Sequence, residues 1–262
     1  MRSCGVTVDA DLTGRVVVVT GASRGIGHGL ARYLTGRGAR LVVTGRRQHR
    51  LDALAGELDA LGADFLPLAF DVADRDACRA MADAAVARFG RIDGLVANAQ
   101  TFRSVTPLEE VSEADMDLLF DTGPKGTLWL MQAVYPHMKA AGRGRIVTFG
   151  SNAGLTGGAG YGPYSSSKEA IRGLTRVAAR EWGPDGITVN CVCPVSAGHR
   201  APPDDDPQRK ALWERTYANQ PIARDGDAED DIAPIVAFLL SDASQYMTGQ
   251  TLMADGGAVM LH

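Results

Sequence analysis

Four consecutive valines, Val16–Val19, run directly into Thr20-Gly21-Ala22-Ser23-Arg24-Gly25-Ile26-Gly27, and an amphipathic stretch follows. Few folds accept this order. An unbroken β-branched run suits a strand buried on both faces. The glycines let the chain turn sharply and let its backbone approach another group closely. A helix opening at Gly25 then presents free N–H groups and a positive dipole end to an anion. Strand, glycine turn and helix in that order form a cradle for a pyrophosphate, and this context gives the glycine spacing its weight. A plain tight turn is the competing reading.

The rest of the chain repeats the pattern. Short apolar runs at 15–20, 40–44, 64–70, 94–97, 145–149, 187–192 and 251–254 read as strands. Helical patterns fall at 25–37, 48–61, 75–89, 113–140, 163–183 and 230–240. Continuous apolar strands alternating with helices predict a parallel sheet of about seven strands, covered on both faces. Right-handed crossovers make this a doubly wound α/β fold of the Rossmann type, with its ligand at the carboxyl ends of the strands. One NAD(P)-binding domain over residues 1–262 is expected. The stretch 199–228, rich in proline and aspartate, interrupts the alternation after the sixth strand. It is read as a substrate lid.

Composition narrows the function. The net charge is −4 and no basic patch stands out, which argues against nucleic acid. No run of eighteen apolar residues exists, so no membrane span is expected. Residues 1–12 carry Asp9 and Asp11 and no apolar core, unlike a secretory signal, so the cytoplasm is the expected compartment. Cys4, Cys78, Cys191 and Cys193 supply no metal-ligand spacing. Cys191 and Cys193 sit two apart on one strand face and read as buried thiols. The histidines are scattered, and no metal site is expected.

The second strand bears on cofactor choice. An acid near its end would hold the ribose 2′-hydroxyl of NAD. Here the sequence reads Val43-Thr44-Gly45-Arg46-Arg47. Cations at a helix start are disfavoured by about 0.3–1 kcal/mol, which a bound phosphate would offset. Arg24, in the glycine turn, can converge on the same group. NADP(H) is therefore expected over NAD(H), with solvated arginines as the plain alternative. Asp71-Val72 closes the third strand, where the carboxylate can accept from an adenine amino group. Asn98 closes the fourth, as a ligand contact or a turn cap.

Tyr164 and Lys168 lie four residues apart, on one helix face, and Ser151 precedes the tyrosine by thirteen. With Thr20-Gly21-x-x-x-Gly25-x-Gly27, Asp71, Asn98, Thr248-Gly249-Gln250 and Asp255-Gly256-Gly257, this order resembles the short-chain dehydrogenase/reductase family from about residue 15 to 258. The resemblance implies hydride exchange between a nicotinamide cofactor and a carbonyl/secondary alcohol pair in a small molecule. It implies that Tyr164 gives or takes the proton, that Lys168 favours the phenolate and holds ribose hydroxyls, and that Ser151 holds the reacting oxygen. The implied cofactor site is Gly21, Ser23, Arg24, Gly25, Ile26 and Gly27, then Arg46, Asp71, Val72 and Asn98, with Tyr164, Lys168 and Pro194. Tyr161, seven residues before Lys168, is the competing proton donor, at the spacing of enoyl reductases. A homotetramer or homodimer through the long fourth and fifth helices is also implied.

Four positions depart from the family pattern. Gly123, before Pro124, replaces an asparagine that bends the helix and holds a relay water, and Gly123-Pro124 is expected to break the helix. Thr122 or a freed carbonyl is the expected substitute for holding the water. Gln100 replaces a glycine near the cofactor. Val195 replaces a glycine after Pro194, and His199 stands where a threonine is usual; His199 touches cofactor or substrate, or lies on a surface loop. A catalytically impaired, NADP(H)-binding regulatory relative is the rival reading.

Overall fold

The computed structural model describes residues 10–103, 105–196, 217 and 220–260. Strand β1 (Val16–Val19) leads through the glycine turn into α1 (Gly25–Gly36), then β2 (Arg40–Gly45), α2 (Gln48–Ala60), β3 (Phe65–Ala69), α3 (Arg75–Phe89) and β4 (Gly94–Ala97). There follow α4 (Glu113–Phe120), a π-helical turn (Asp121–Lys125), α5 (Gly126–Ala140) and β5 (Gly144–Phe149). The short α6 (Asn152–Thr156), the long α7 (Gly162–Trp182), β6 (Ile187–Pro194), a second π-turn (Ala228–Ile232), α8 (Ala233–Leu240) and β7 (Thr251–Ala254) complete the order. All seven strands are parallel, in the order β3-β2-β1-β4-β5-β6-β7.

The four valines that open the fold feed two cores. Val17 and Val19 pack with Leu30 and Leu34 of α1 and with Val236 and Leu240 of α8. Val16 and Val18 pack on the other face with Met81 of α3 and with Leu130 and Val134 of α5. Alternation along a strand sends neighbours to opposite faces, and a sheet covered twice needs valine at both. Burying each such side chain contributes about 1.5–3 kcal/mol. From β1 the order runs outward to β3 on one side, and β4 begins the other side. The crevice at this switch lies at the carboxyl ends of β1 and β4, where side chains from both halves meet a ligand.

The expected long helix over 113–140 is one helical run, but Gly123-Pro124 does not break it. Proline lacks an N–H and its ring crowds the carbonyl four residues back. The chain absorbs this by widening one turn: the Gly126 N–H reaches the Asp121 carbonyl, five residues back, and helical dihedrals persist on both sides. Strand β6 runs two residues further than its apolar pattern predicts, to Pro194, because β7 pairs with it there. His199 and most of the stretch 199–228 lie outside the described residues.

Candidate active site

A cavity of about 1120 Å³ opens at the carboxyl ends of the strands. Gly21, Ser23, Arg24, Gly25 and Ile26 line one end of it. Gly21 and Gly25 have φ of 66° and 55°, the left-handed region that favours glycine. Arg24 caps α1 with extended backbone and no side-chain bond, and no acid stands in the first turn, so the helix's N–H groups remain available. Gly27 does not line the cavity. A β-carbon there would collide with the Gly21 carbonyl oxygen and lie 2.7 Å from Asn98 Nδ2, so close helix–turn packing requires glycine at this position.

At the end of β2, Thr44, Gly45 and Arg46 border the cavity, with Arg47 and Arg50 beyond them. A β-carbon at Gly45 would press on Ser23 Oγ at 3.1 Å, so the glycine keeps β2 against the first turn. Arg46 Nη1 lies 3.5 Å from Asp71 Oδ2, both groups about half exposed. Asp71 Oδ1 accepts from the Ala73 N–H at 3.0 Å. Sequence reading missed Arg50, although it lies one helical turn from Arg46 and Arg47, a spacing that puts all three near one edge. Asp71 and Val72 line the cavity as anticipated.

Asn98 lines the cavity and also fastens it. Its Nδ2 donates to the Thr20 carbonyl at 2.9 Å, while the N–H groups of Asn98 and Ala99 both donate to Thr20 Oγ1 at 3.1 Å. This ties the ends of β1 and β4 together at the switch point.

Ser151, Tyr164 and Lys168 converge at the opposite end. Ser151 caps α6, its Oγ accepting from the Ala153 N–H at 3.2 Å. Tyr164 and Lys168 stand one turn apart near the start of α7. The lysine is only 5% exposed. Its Nζ donates to the Phe149 carbonyl at 2.9 Å and sits 5.5 Å from the centre of the Tyr164 ring. Burial draws the Lys168 ammonium down to about 8. Burial pushes the Tyr164 phenol up, and the neighbouring Ser151 hydroxyl pulls it part-way back. Phe102 meets Tyr164 edge-on with centroids 5.3 Å apart, and Tyr161 is tilted 6.3 Å from it.

Pro194 and Ser196 complete the wall. Val195 bridges two segments, its N–H donating to Ala254 at 3.0 Å and its carbonyl accepting from Gly226 at 3.2 Å. The thiols of Cys191 and Cys193 are buried and free, beneath Gly150, where a β-carbon would lie 2.6 Å from Cys193 Sγ. The carboxyl-terminal signature is structural: Thr248 Oγ1 accepts from Val189 at 3.0 Å, and the Asp255 carboxylate accepts from Gly257 and Val259 at 3.0 and 2.8 Å.

Around Gly123 the arrangement differs from expectation. The Thr122 hydroxyl is already committed, donating to the Leu118 carbonyl at 2.7 Å and accepting from Thr101 at 3.2 Å. The Gln100 side chain stands there instead. Its Nε2 donates to Ser167 Oγ at 2.7 Å and to the Leu119 carbonyl at 3.4 Å, and its Oε1 is buried with no hydrogen-bond partner. An acceptor left that way costs about 1–3 kcal/mol unless a donor reaches it. Among the described residues no group of three or more His, Cys, Asp or Glu is placed to hold a metal ion, and no helix is long and apolar enough to cross a membrane.

A family model described as enoyl-(acyl carrier protein) reductase matches residues 21–259. A 12α-hydroxysteroid dehydrogenase from Clostridium sp. is 38% identical over 251 residues, covering 93% of this chain and 96% of that one. The chain belongs to the short-chain dehydrogenase/reductase family. A 3-oxoacyl-[acyl-carrier-protein] reductase from Staphylococcus aureus is 37% identical over 244 residues, 93% of this chain and 97% of that protein. Among solved structures, levodione reductase superposes with a TM-score of 0.86 at 31% identity, covering 94% of this chain and 98% of that one. The protein is an oxidoreductase acting on CH–OH and C=O groups.

Proposed function

We propose that the protein is an NADP(H)-preferring ketoreductase or alcohol dehydrogenase in which Tyr164 is the acid–base, Ser151 holds the substrate oxygen and Lys168 tunes the phenol. The observation that carries this reading is the meeting of the three side chains in one cavity with the glycine turn and the open N-terminus of α1. The residues fit a dinucleotide: left-handed glycines and uncapped N–H groups suit a pyrophosphate. When bound, the nicotinamide supplies or takes up the hydride.

In carbonyl reduction, Tyr164 delivers its proton to the oxygen as negative charge develops there. Ser151, which lines the cavity beside Tyr164, donates to that same oxygen and stabilises the charge. Lys168, anchored by the Phe149 carbonyl, directs its positive end toward the phenolate that remains. Tyr161 is the poorer donor, because the ammonium and Ser151 both lie against Tyr164. Tyr164→Phe is expected to abolish turnover with intact folding, and Tyr161→Phe to retain it. The reverse outcome would move the assignment to Tyr161.

Preference for NADP(H) rests on Arg24, Arg46, Arg47 and Arg50 around the end of β2, where Gly45 stands in place of an acid. These guanidiniums, with Arg46 only loosely engaged by Asp71, suit a 2′-phosphate. Higher kcat/KM with NADH than with NADPH would refute the preference. The substrate end is apolar, with exposed Phe102 beside Tyr161, which suits a hydrophobic, mid-sized ketone. We further assign residues 1–262 to one domain, with 199–228 as a lid whose proteolysis bound cofactor would slow. Assembly through α4, α5 and α7 into a homodimer or homotetramer is testable by light scattering; half-exposed Val177 on α7 is consistent with such a face.

A further inference from the structure

We propose that Gln100 and Gly123 act as one unit, in which the Gln100 amide occupies the space of a side chain at 123 and positions α7, and with it Tyr164 and Lys168. The proposal rests on the acid–base assignment above for its kinetic part and on packing alone for the rest.

Gly123 is absent from the positive-φ glycines, so its backbone does not require glycine. What requires it is space. A β-carbon at 123 would lie 2.6 Å from Gln100 Nε2 and 3.0 Å from its Cδ. The direction of that missing bond points into the amide itself. A short amide side chain growing from 123 would therefore put its polar group where the Gln100 amide now lies.

The orientation of that amide is set by its partners. Ser167 Oγ donates to the Tyr164 carbonyl at 2.7 Å, so it accepts from Gln100. The Leu119 carbonyl likewise needs a donor. Both demands fall on Nε2, and a flipped amide would oppose two acceptors. Oε1 is thereby the end left without a protein partner.

Three elements meet at this amide. Gln100 follows Asn98, which Thr20 pins to the sheet. Leu119 lies in the last turn of α4, which Phe120 closes just before the widened turn. Ser167, fully buried, lies between Tyr164 and Lys168 on α7 and is bonded back to the tyrosine's own carbonyl. Gln100 lines the same cavity, but its amide bonds Ser167 and the Leu119 carbonyl rather than the Tyr164 phenol or the Lys168 ammonium. It fixes the helical turn that presents both, and so is a positioning residue.

The test uses the intact protein and a ketone that the wild type reduces. Gln100→Leu fills the volume without the amide. We expect kcat to fall about tenfold and by more than KM or NADPH affinity changes, because the main loss is proton-donor geometry. The pH midpoint of kcat should move, since the Tyr164–Lys168 spacing changes. Gln100→Gly and Gly123→Asn alone should each lose kcat comparably. The double variant Q100G/G123N should recover to within about threefold of wild type and restore the midpoint. Unchanged kcat and midpoint in Gln100→Leu, or a double variant no better than the product of the singles, overturns the proposal. Activity in wild type, its loss in Tyr164→Phe and no effect of Gln100→Leu would remove this inference and leave the assignment above standing. If no ketone is reduced although NADPH binds, the functional reading fails and Tm decides the packing claim. A coupled unit keeps the double variant roughly 2–4 °C or more above either single, whereas additive losses overturn it.

Discussion

The two ends of the sheet are built on opposite rules. At the amino ends of the strands, charge is paired. Asp93 is 3% exposed, accepts from the Val16 N–H at 2.9 Å, and faces Arg15 at 3.6 Å and Arg143 at 3.4 Å, while Arg91 pairs with it from the neighbouring loop. Arg143 and Arg145 continue to Asp242 at 2.7 and 3.3 Å. At the carboxyl ends, polar groups are left open: the start of α1 has no side-chain cap, and Gln100 Oε1 and Ser196 Oγ lack partners among the described residues, with Thr188 Oγ1 at the start of β6 the one such buried side-chain atom toward the amino ends. Lys168 is buried, and among the described residues the Phe149 carbonyl is its side chain's one hydrogen-bond partner. A buried group without a partner destabilises a fold. One end therefore holds the protein together and the other keeps its hydrogen-bonding capacity for a ligand.

Substitutions at the two ends should separate activity from stability. The largest effect is expected at the open end: Tyr164→Phe should lower kcat by about 10²–10⁴, the range of general acid catalysis, with Tm nearly unchanged. A matching drop in Tm would mean that the phenol is structural. At the paired end, Asp93→Ala should cost about 3 kcal/mol, the low end for breaking a buried pair because its arginines are partly exposed. That corresponds to roughly 6–12 °C in Tm. Per-molecule kcat/KM should hold, and a specific loss of kcat would collapse the contrast between the ends.

A further test uses proton linkage. Lys168 is drawn from 10.5 to about 8 in the folded state. Between those pH values the unfolded chain binds the proton and the folded chain does not. Stability therefore rises with pH across this window, by up to about 3 kcal/mol from this group. Tyr164, raised by burial, opposes the trend above its ordinary value near 10. The difference between wild type and Lys168→Met, followed by denaturant unfolding from pH 7 to 10, isolates the lysine; a flat difference would show that its burial is relieved. The smallest effect concerns the cofactor. Arg46→Ala should lower the NADPH-to-NADH ratio of kcat/KM about tenfold, the worth of one charge-assisted contact. An unchanged ratio would make Arg46 a partner of Asp71 alone.

Much of this was legible in the chain itself. The valine run and glycine turn predict a buried strand entering a helix, and α3, β4 and β7 fall at their predicted bounds, because apolar period and turn residues are local signals. The cavity gathers Ser151, Tyr164 and Lys168 with Ser23, Arg24, Arg46 and Asp71, as their order along the chain suggests. At Gly27 the fold adds a packing demand, close approach to Gly21 and Asn98, that depends on what stands opposite it. The turn at 121–125 was read as a break, and widening by one residue was the cheaper solution once α4 and α5 were both packed.

By itself, then, the sequence determined the layers, the strand direction and the family, since these follow from periodicity and from motifs within a few residues. Only the tertiary structure decided what Gln100 and Gly123 mean. They lie 23 positions apart, and each alone reads as a departure. Folding brings the amide of one into the space above the other, and whether a glycine serves a turn or a neighbour is settled by distance between elements that no local pattern encodes.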